Sequence, residues 1–154
     1  MRIVVDAMGG DYAPGVVVKG AIEAVKEYAN IEILLVGDEE KIKSRLKEFQ
    51  YSGSNILVHP AAEVIGMCEP AATSVRRKRN SSIVVGVNLV KAGQAEAFFS
   101  AGNTGAVTTG AVLRLGRFKG VPSPAIAVPI PVPGHHPQLL EHVPAEQRPA
   151  VIER

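Results

Sequence analysis

Two short loops, rich in glycine and polar side chains, hold the residues of this sequence that could do chemistry. The first reads Asp6-Ala7-Met8-Gly9-Gly10-Asp11 and directly follows an apolar run. Adjacent glycines lack Cβ atoms, so backbone amides there could closely approach a bound anion. The two carboxylates would repel a bare phosphate unless they orient a helix, a water, a lysine or a substrate hydroxyl. The alternative interpretation is that Asp11 caps the next helix and the glycines only make a turn.

The second loop reads Ser100-Ala101-Gly102-Asn103-Thr104-Gly105 and leads into an apolar helix. Amides at a helix amino terminus carry an effective positive charge of roughly half a unit, which favours an anion without lysine. Ser100, Asn103 and Thr104 add side-chain donors. The pattern therefore indicates a phosphate cradle over residues 100–106, with an ordinary helix cap at Asn103 or Thr104 as the alternative.

Three further features have both a functional and a structural interpretation. His59 closes a predicted strand and could donate a hydrogen bond to a phosphate oxygen, although a lone histidine can equally be structural. The run Arg76-Arg77-Lys78-Arg79 is either a solvated helix end or an anion-binding patch for phosphate or an acidic carrier protein. Cys68 is the single cysteine, which excludes an internal disulfide, and we predict that it is a buried small residue.

Composition excludes several classes of protein. The chain has 154 residues, 46% of them hydrophobic and 21% charged, which is typical of one soluble globular domain. Its net charge of +2 is scattered, so we expect no nucleic-acid partner. The start lacks a secretory signal and no run of about 18 apolar residues occurs, so we expect a cytoplasmic protein with at most peripheral membrane association. We predict no metal and no cofactor, because the tail histidines lack carboxylate partners and neither nucleotide-binding glycine motif is present.

Strands alternate with helices along the chain. Strands are predicted at residues 2–6, 31–36, 55–59, 95–100 and 125–130, and helices at residues 15–28, 38–49, 70–79, 80–92 and 104–115. Such alternation predicts a parallel sheet covered on both faces. Ligands bind such sheets at the carboxyl ends of the strands, which is where both loops should lie. The proline-rich tail at residues 131–154 is expected outside the core and poorly ordered.

Several of these motifs together resemble a known family. They are the first loop with Val5 before it, Leu35-Val36-Gly37-Asp38-Glu39, His59, Glu63-Val64-Ile65, the stretch at residues 70–78, and Phe99 through Ala106. In order and spacing they are similar to the bacterial phosphate acyltransferase family, PlsX, over about residues 1–130. The resemblance implies transfer of a fatty acyl group from acyl carrier protein to inorganic phosphate, giving acyl phosphate for phospholipid synthesis.

The same resemblance implies an α/β fold and a set of partners. The fold is three-layer α/β/α with a mostly parallel sheet, like isocitrate and isopropylmalate dehydrogenases and related to phosphotransacetylase. Members are homodimers that associate peripherally with membrane and use no metal. The family would continue beyond residue 130 with roughly half the enzyme again, so we expect this chain to be a fragment with little or no activity alone.

The loops and the resemblance together give a set of candidate site residues. We expect catalytic roles for Asn103, His59 and Asp6. We expect phosphate or substrate binding by Gly9, Gly10, Asp11, Ser100, Gly102, Thr104 and Gly105. We expect contact with the carrier protein or another anion at Arg76, Arg77 and Lys78. Two other functions stay open: acyl transfer between coenzyme A and phosphate, as in phosphotransacetylase, and a non-catalytic remnant that binds an anion or a partner.

Overall fold

The structure, a computed structural model, describes residues 1–121 and two strands beyond them, Ala127–Ile130 and Gln138–Glu141. The chain divides into two compact units, Met1–Gly116 and Arg117–Arg154. In the part of the chain that the structure describes, no helix is long and apolar enough to cross a membrane. The candidate site residues all belong to the first unit.

The first unit contains a four-stranded sheet in which every pairing is parallel, with the order β3-β2-β1-β4. The strands are β1 (Arg2–Asp6), β2 (Glu32–Gly37), β3 (Ile56–Pro60) and β4 (Ala97–Phe99). The helices of this unit are α1 (Gly15–Glu27), α2 (Glu39–Glu48), α3 (Ala71–Arg77), α4 (Ser82–Lys91) and α5 (Thr104–Arg114). The predicted alternation and the parallel sheet are confirmed, with element ends displaced by a few residues.

Apolar side chains cover both faces of this sheet, because successive strand residues point to opposite sides. Val5 and Leu35 lie in one buried cluster with apolar residues of α1 and α2. Val4 and Val36 lie in another, packed with residues of α4. A third cluster joins α3, α4 and α5 through Val75, Ile83, Val84 and Ala106. The three-layer α/β/α architecture is therefore confirmed.

Polar side chains begin three of the helices. Asp38 accepts a hydrogen bond from Lys41 N at 3.1 Å at the start of α2, as predicted. Ser81 and Asn103 cap α4 and α5 in the same way. The start of α1 differs, because Pro14 occupies the cap position and makes no side-chain cap bond. The alternative interpretation of Asp11 as the cap is therefore wrong, since the helix starts after Pro14 and no side chain caps it.

In the second unit, β5 (Ala127–Ile130) pairs antiparallel with β6 (Gln138–Glu141). The strand predicted at residues 125–130 is present over its last four residues. β6 falls within the tail that we expected outside the core. We predicted a poorly ordered tail. Apart from β6, the residues of this tail, 131–137 and 142–154, lie outside the described residues.

Candidate functional site

The two glycine loops lie side by side at the carboxyl edge of the sheet. β1 and β4 are adjacent parallel strands, so the loops that follow them emerge together. The Ser100 hydroxyl donates a hydrogen bond of 2.7 Å to Asp6 Oδ2. Asp6 is only 2% exposed, so this bond is shielded from water and joins residues far apart in sequence. The predicted meeting of the two loops is confirmed.

Gly9 lets the loops touch. A Cβ atom at Gly9 would lie 2.8 Å from Asp6 Oδ2, 2.8 Å from Gly102 N and 2.9 Å from Ser100 Oγ, closer than real side chains pack. Glycine is needed here for space. Its neighbour Gly10 is needed for conformation instead, because its φ of +98° lies in the left-handed region.

Internal hydrogen bonds stiffen the contact between the loops. Gly102 N donates to Ser100 Oγ at 3.0 Å, and Met8 N donates to Asp6 Oδ1 at 3.0 Å. The Asp6 carboxylate thus accepts one bond from each loop. Because the Gly102 amide is directed at Ser100, this predicted donor is engaged within the protein.

The first turn of α5 offers two other amides. Thr104 and Gly105 are exposed, and their N–H groups have no acceptor among residues 1–121. The next amide, that of Ala106, donates to Asn103 Oδ1 at 2.9 Å. No acidic residue lies in this turn, so its partial positive charge is not offset locally. This arrangement suits an anion placed above Thr104 and Gly105.

Asn103 is buried and fully engaged. Besides capping α5, its Nδ2 lies within hydrogen-bond distance of three carbonyl oxygens: Gly66 at 3.1 Å, Met67 at 3.1 Å and Glu69 at 3.0 Å. An amide nitrogen carries two hydrogens, so these three contacts share them. The side chain therefore joins the start of α5 to residues 66–69, which we call the clamp loop. A catalytic role for Asn103 stays a prediction.

Glu69 closes the clamp loop from the other side, and sequence reasoning missed it. Its Oε1 accepts from Lys78 Nζ at 2.6 Å and from Gly66 N at 2.8 Å, while Oε2 accepts from Ser74 Oγ at 2.9 Å. Lys78, followed by the Gly66 amide and the Ser74 hydroxyl, lowers the pKa of Glu69 to about 2. An acidic residue just before a helix that ends in basic residues was the available signal.

This lowered pKa predicts an acid-dependent loss of stability. The folded state favours the Glu69 carboxylate, so its stabilising contribution is complete above the ordinary glutamate pKa of 4.5 and is lost as pH falls toward about 2. We expect wild type to be more stable than Glu69→Gln at about pH 6, and this difference to shrink by about pH 3. Urea unfolding of both proteins measures it. The control Glu48→Gln removes an exposed carboxylate on α2. If the difference in unfolding free energy between wild type and Glu69→Gln stays constant with pH, the prediction is wrong.

Some predicted residues lie apart from the two loops. His59 pairs across the sheet with Val36, which pairs with Asp6, so two strand spacings of together about 10 Å separate His59 from Asp6. Its Nδ1 lies 3.1 Å from Pro60 O. Asp11 is exposed on the first loop. The structure does not bring His59 within hydrogen-bond reach of either loop.

The basic run and the cysteine also differ from the simplest expectation. Lys78 is paired with Glu69 and also donates to Val64 O at 2.7 Å, whereas Arg76 and Arg77 are exposed. Cys68 is exposed, so the prediction that it is buried is wrong. The reason is that Asn103 and Glu69 hold the clamp loop through its backbone, which leaves the side chain of Cys68 outside.

Comparison with known proteins agrees with this geometry. A family model described as a fatty acid synthesis protein matches residues 1–145. The phosphate acyltransferase of Dictyoglomus thermophilum is 48% identical over 140 residues, which cover 91% of this chain and 41% of the relative. Phosphate acyltransferases of Geobacter sulfurreducens and Myxococcus xanthus are each 50% identical, over 82% and 85% of this chain and 36% and 37% of the relatives.

The chain thus spans about two fifths of the length of these curated relatives. The range matched by the family model runs past residue 130, the predicted end of the resemblance. Both glycine loops and the clamp loop lie inside it. By this match, the chain belongs to the fatty acid synthesis protein family, PlsX, whose curated relatives are phosphate acyltransferases.

Proposed function

We propose that this chain is the phosphate-binding part of an enzyme that transfers a fatty acyl group from acyl carrier protein to inorganic phosphate. The product is acyl phosphate for phospholipid synthesis. The names of the relatives support the reaction. Because the chain spans about two fifths of their length, the proposal gives full activity to a longer protein. The observation that carries the proposal is the contact between the two glycine loops beside the exposed amides of α5.

The reaction needs a held nucleophile and a stabilised oxyanion. An oxygen of hydrogen phosphate attacks the thioester carbonyl carbon, the carbon–sulfur bond breaks, and the phosphate proton goes to the departing thiolate. Backbone amides that point at a developing negative charge lower the barrier because they need no reorganisation. In the proposal, the Thr104 and Gly105 amides hold the phosphate in position for this attack. Asp6 and Ser100 fix the loop that carries Gly9, Gly10 and Asp11 against them.

The exposed arginines suit an acidic partner. Arg76 and Arg77 point into solvent at the end of α3, while the charge of Lys78 is balanced by Glu69. Within the proposal, Arg76 and Arg77 supply most of the attraction for acyl carrier protein, and Lys78 contributes little. The homodimer, the peripheral membrane contact and the cytoplasmic location belong to the longer protein and are proposed with it.

Phosphate titration tests the binding part of the proposal. We expect inorganic phosphate to shift the amide signals of Thr104 and Gly105 most strongly in nitrogen–proton NMR spectra of the chain, because these N–H groups have no acceptor among residues 1–121. The amide of Gly20, in the middle of α1, is the internal control. Shifts concentrated elsewhere, or none at millimolar phosphate, would contradict the phosphate cradle.

Activity assays then test the reaction. They use a longer protein that also contains the part of the relatives that this chain does not span. We expect acyl phosphate to form from acyl carrier protein thioesters. Preference for coenzyme A thioesters would favour the phosphotransacetylase-like alternative. Phosphate binding without turnover of either thioester would favour the non-catalytic remnant.

A further inference from the structure

The clamp loop is held on one side by Asn103 and on the other side by the side chain of its own last residue, Glu69. On one side, Asn103 donates to its carbonyl oxygens. On the other side, Glu69 Oε1 accepts the Gly66 amide at 2.8 Å, which closes the loop on itself. Glu69 N also donates to Gly66 O at 3.1 Å. The loop is therefore braced by polar contacts.

Glu69 connects this loop to α3 and to the chain before the loop. Its Oε2 accepts the Ser74 hydroxyl on α3. Its other oxygen accepts Lys78 Nζ, which also donates to Val64 O. Hydrogen bonds to charged groups are stronger than neutral ones, and four hydrogen bonds converge here on one carboxylate and one ammonium. Removing the charge of Glu69 should loosen all of these contacts together.

The side chain of Asn103 connects the clamp loop to the start of α5. The same planar amide group donates to the loop through Nδ2 and accepts the Ala106 amide through Oδ1. Its orientation at the helix start therefore depends on where the loop carbonyls lie. The start of α3 also approaches this turn, since a Cβ atom at Gly105 would lie 3.1 Å from Ala71 Cβ.

We infer that Glu69 is a positioning residue for phosphate, acting through the clamp loop and Asn103 on the first turn of α5. The inference rests on the proposed function, since it concerns the same phosphate cradle. The carboxylate itself would repel phosphate, and its oxygens are already engaged by Lys78, Gly66 and Ser74. Its contribution is to hold Asn103 in the orientation that leaves the Thr104 and Gly105 amides in place.

The experiment combines phosphate affinity with amide exchange in the full chain. We expect Glu69→Gln to raise the Kd for inorganic phosphate about tenfold, the equivalent of losing one charged hydrogen bond. Exchange of the Ala106 and Val107 amides, which Asn103 protects, should become faster. The control Glu39→Gln removes an exposed pair with Lys43 on α2 and should change neither readout.

A second variant tests the route through Asn103. Asn103→Ser keeps a capping oxygen but lacks the amide hydrogens that hold the clamp loop. We expect it to weaken phosphate binding as Glu69→Gln does, and the double variant to be no weaker than the more severe single variant. Glu69→Asp keeps the negative charge. If it binds phosphate more tightly than Glu69→Gln does, a charge is needed at this position.

Two results that involve phosphate affinity overturn the inference, and so does one from amide exchange alone. One is that Glu69→Gln binds phosphate as tightly as wild type and that only the amides of residues 66–69 exchange faster. The other is a double variant whose losses multiply, because independent effects exclude a common route. If the wild-type chain binds no phosphate, the proposed function fails. If phosphate binds but the hydrogen exchange of the Ala106 amide is unchanged in Glu69→Gln, the positioning role of Glu69 is wrong.

Discussion

Gly9→Ala is expected to separate the two loops and abolish most phosphate binding. The added methyl carbon would meet the Gly102 backbone and the buried Asp6 carboxylate at 2.8 Å, and neither is the free end of a flexible side chain. We expect unfolding to become easier by about 1–3 kcal/mol, the usual cost of overpacking. The phosphate Kd should rise at least about tenfold, because the second loop can relieve the clash only by moving. Urea unfolding and phosphate titration measure both effects.

Gly20→Ala is the matched control for this substitution. Gly20 lies in α1, is exposed, and a Cβ atom there meets nothing within 4 Å. The same chemical change should therefore stabilise the protein by about 0.5–1 kcal/mol, because alanine favours helix, and leave phosphate binding unchanged. Equal effects of the two substitutions would show that Gly9 is not a point of contact between the loops.

Asp6→Ala is expected to destabilise the protein more than Gly9→Ala does. Removal of the carboxylate leaves the Met8 amide and the Ser100 hydroxyl without their acceptor in a site that is shielded from water. An orphaned buried polar group costs about 1–3 kcal/mol, so we expect a loss of about 2–6 kcal/mol in unfolding free energy for the two together. Phosphate binding should fall as well, because Ser100 then loses the partner that holds it against the first loop.

Asp38→Ala provides the comparison for this second prediction. Asp38 is a half-buried aspartate that caps α2, and its side chain bonds to Lys41 rather than to either loop. Its removal should weaken one helix start and leave phosphate affinity at the wild-type value. Thermal unfolding, together with the phosphate titration, separates general destabilisation from loss of the site. A wild-type phosphate Kd in Asp6→Ala would contradict a role for the loop contact in binding.

The sequence was sufficient to predict which elements form and at which edge the two loops lie. Apolar runs that alternate with helical patterns specify a parallel sheet, and the connectivity of such a sheet places the ends of β1 and β4 together. Asp38 could be recognised as a cap because its bond to Lys41 N is local. Asp6, Gly9 and Ser100 could be assigned to one site for the same reason of topology.

Only the tertiary structure decided what each of these side chains contacts. Asn103 looked like a donor to phosphate, yet its amide meets carbonyls 34 to 37 residues earlier in the chain. Glu69 carried no motif, because the partners that lower its pKa come together only when α3 packs beside the clamp loop. His59 shares a row with Asp6 across the sheet but is two strands away. Periodicity and local propensity reveal which face or edge a residue occupies, whereas long-range hydrogen bonds depend on distances that only packing sets.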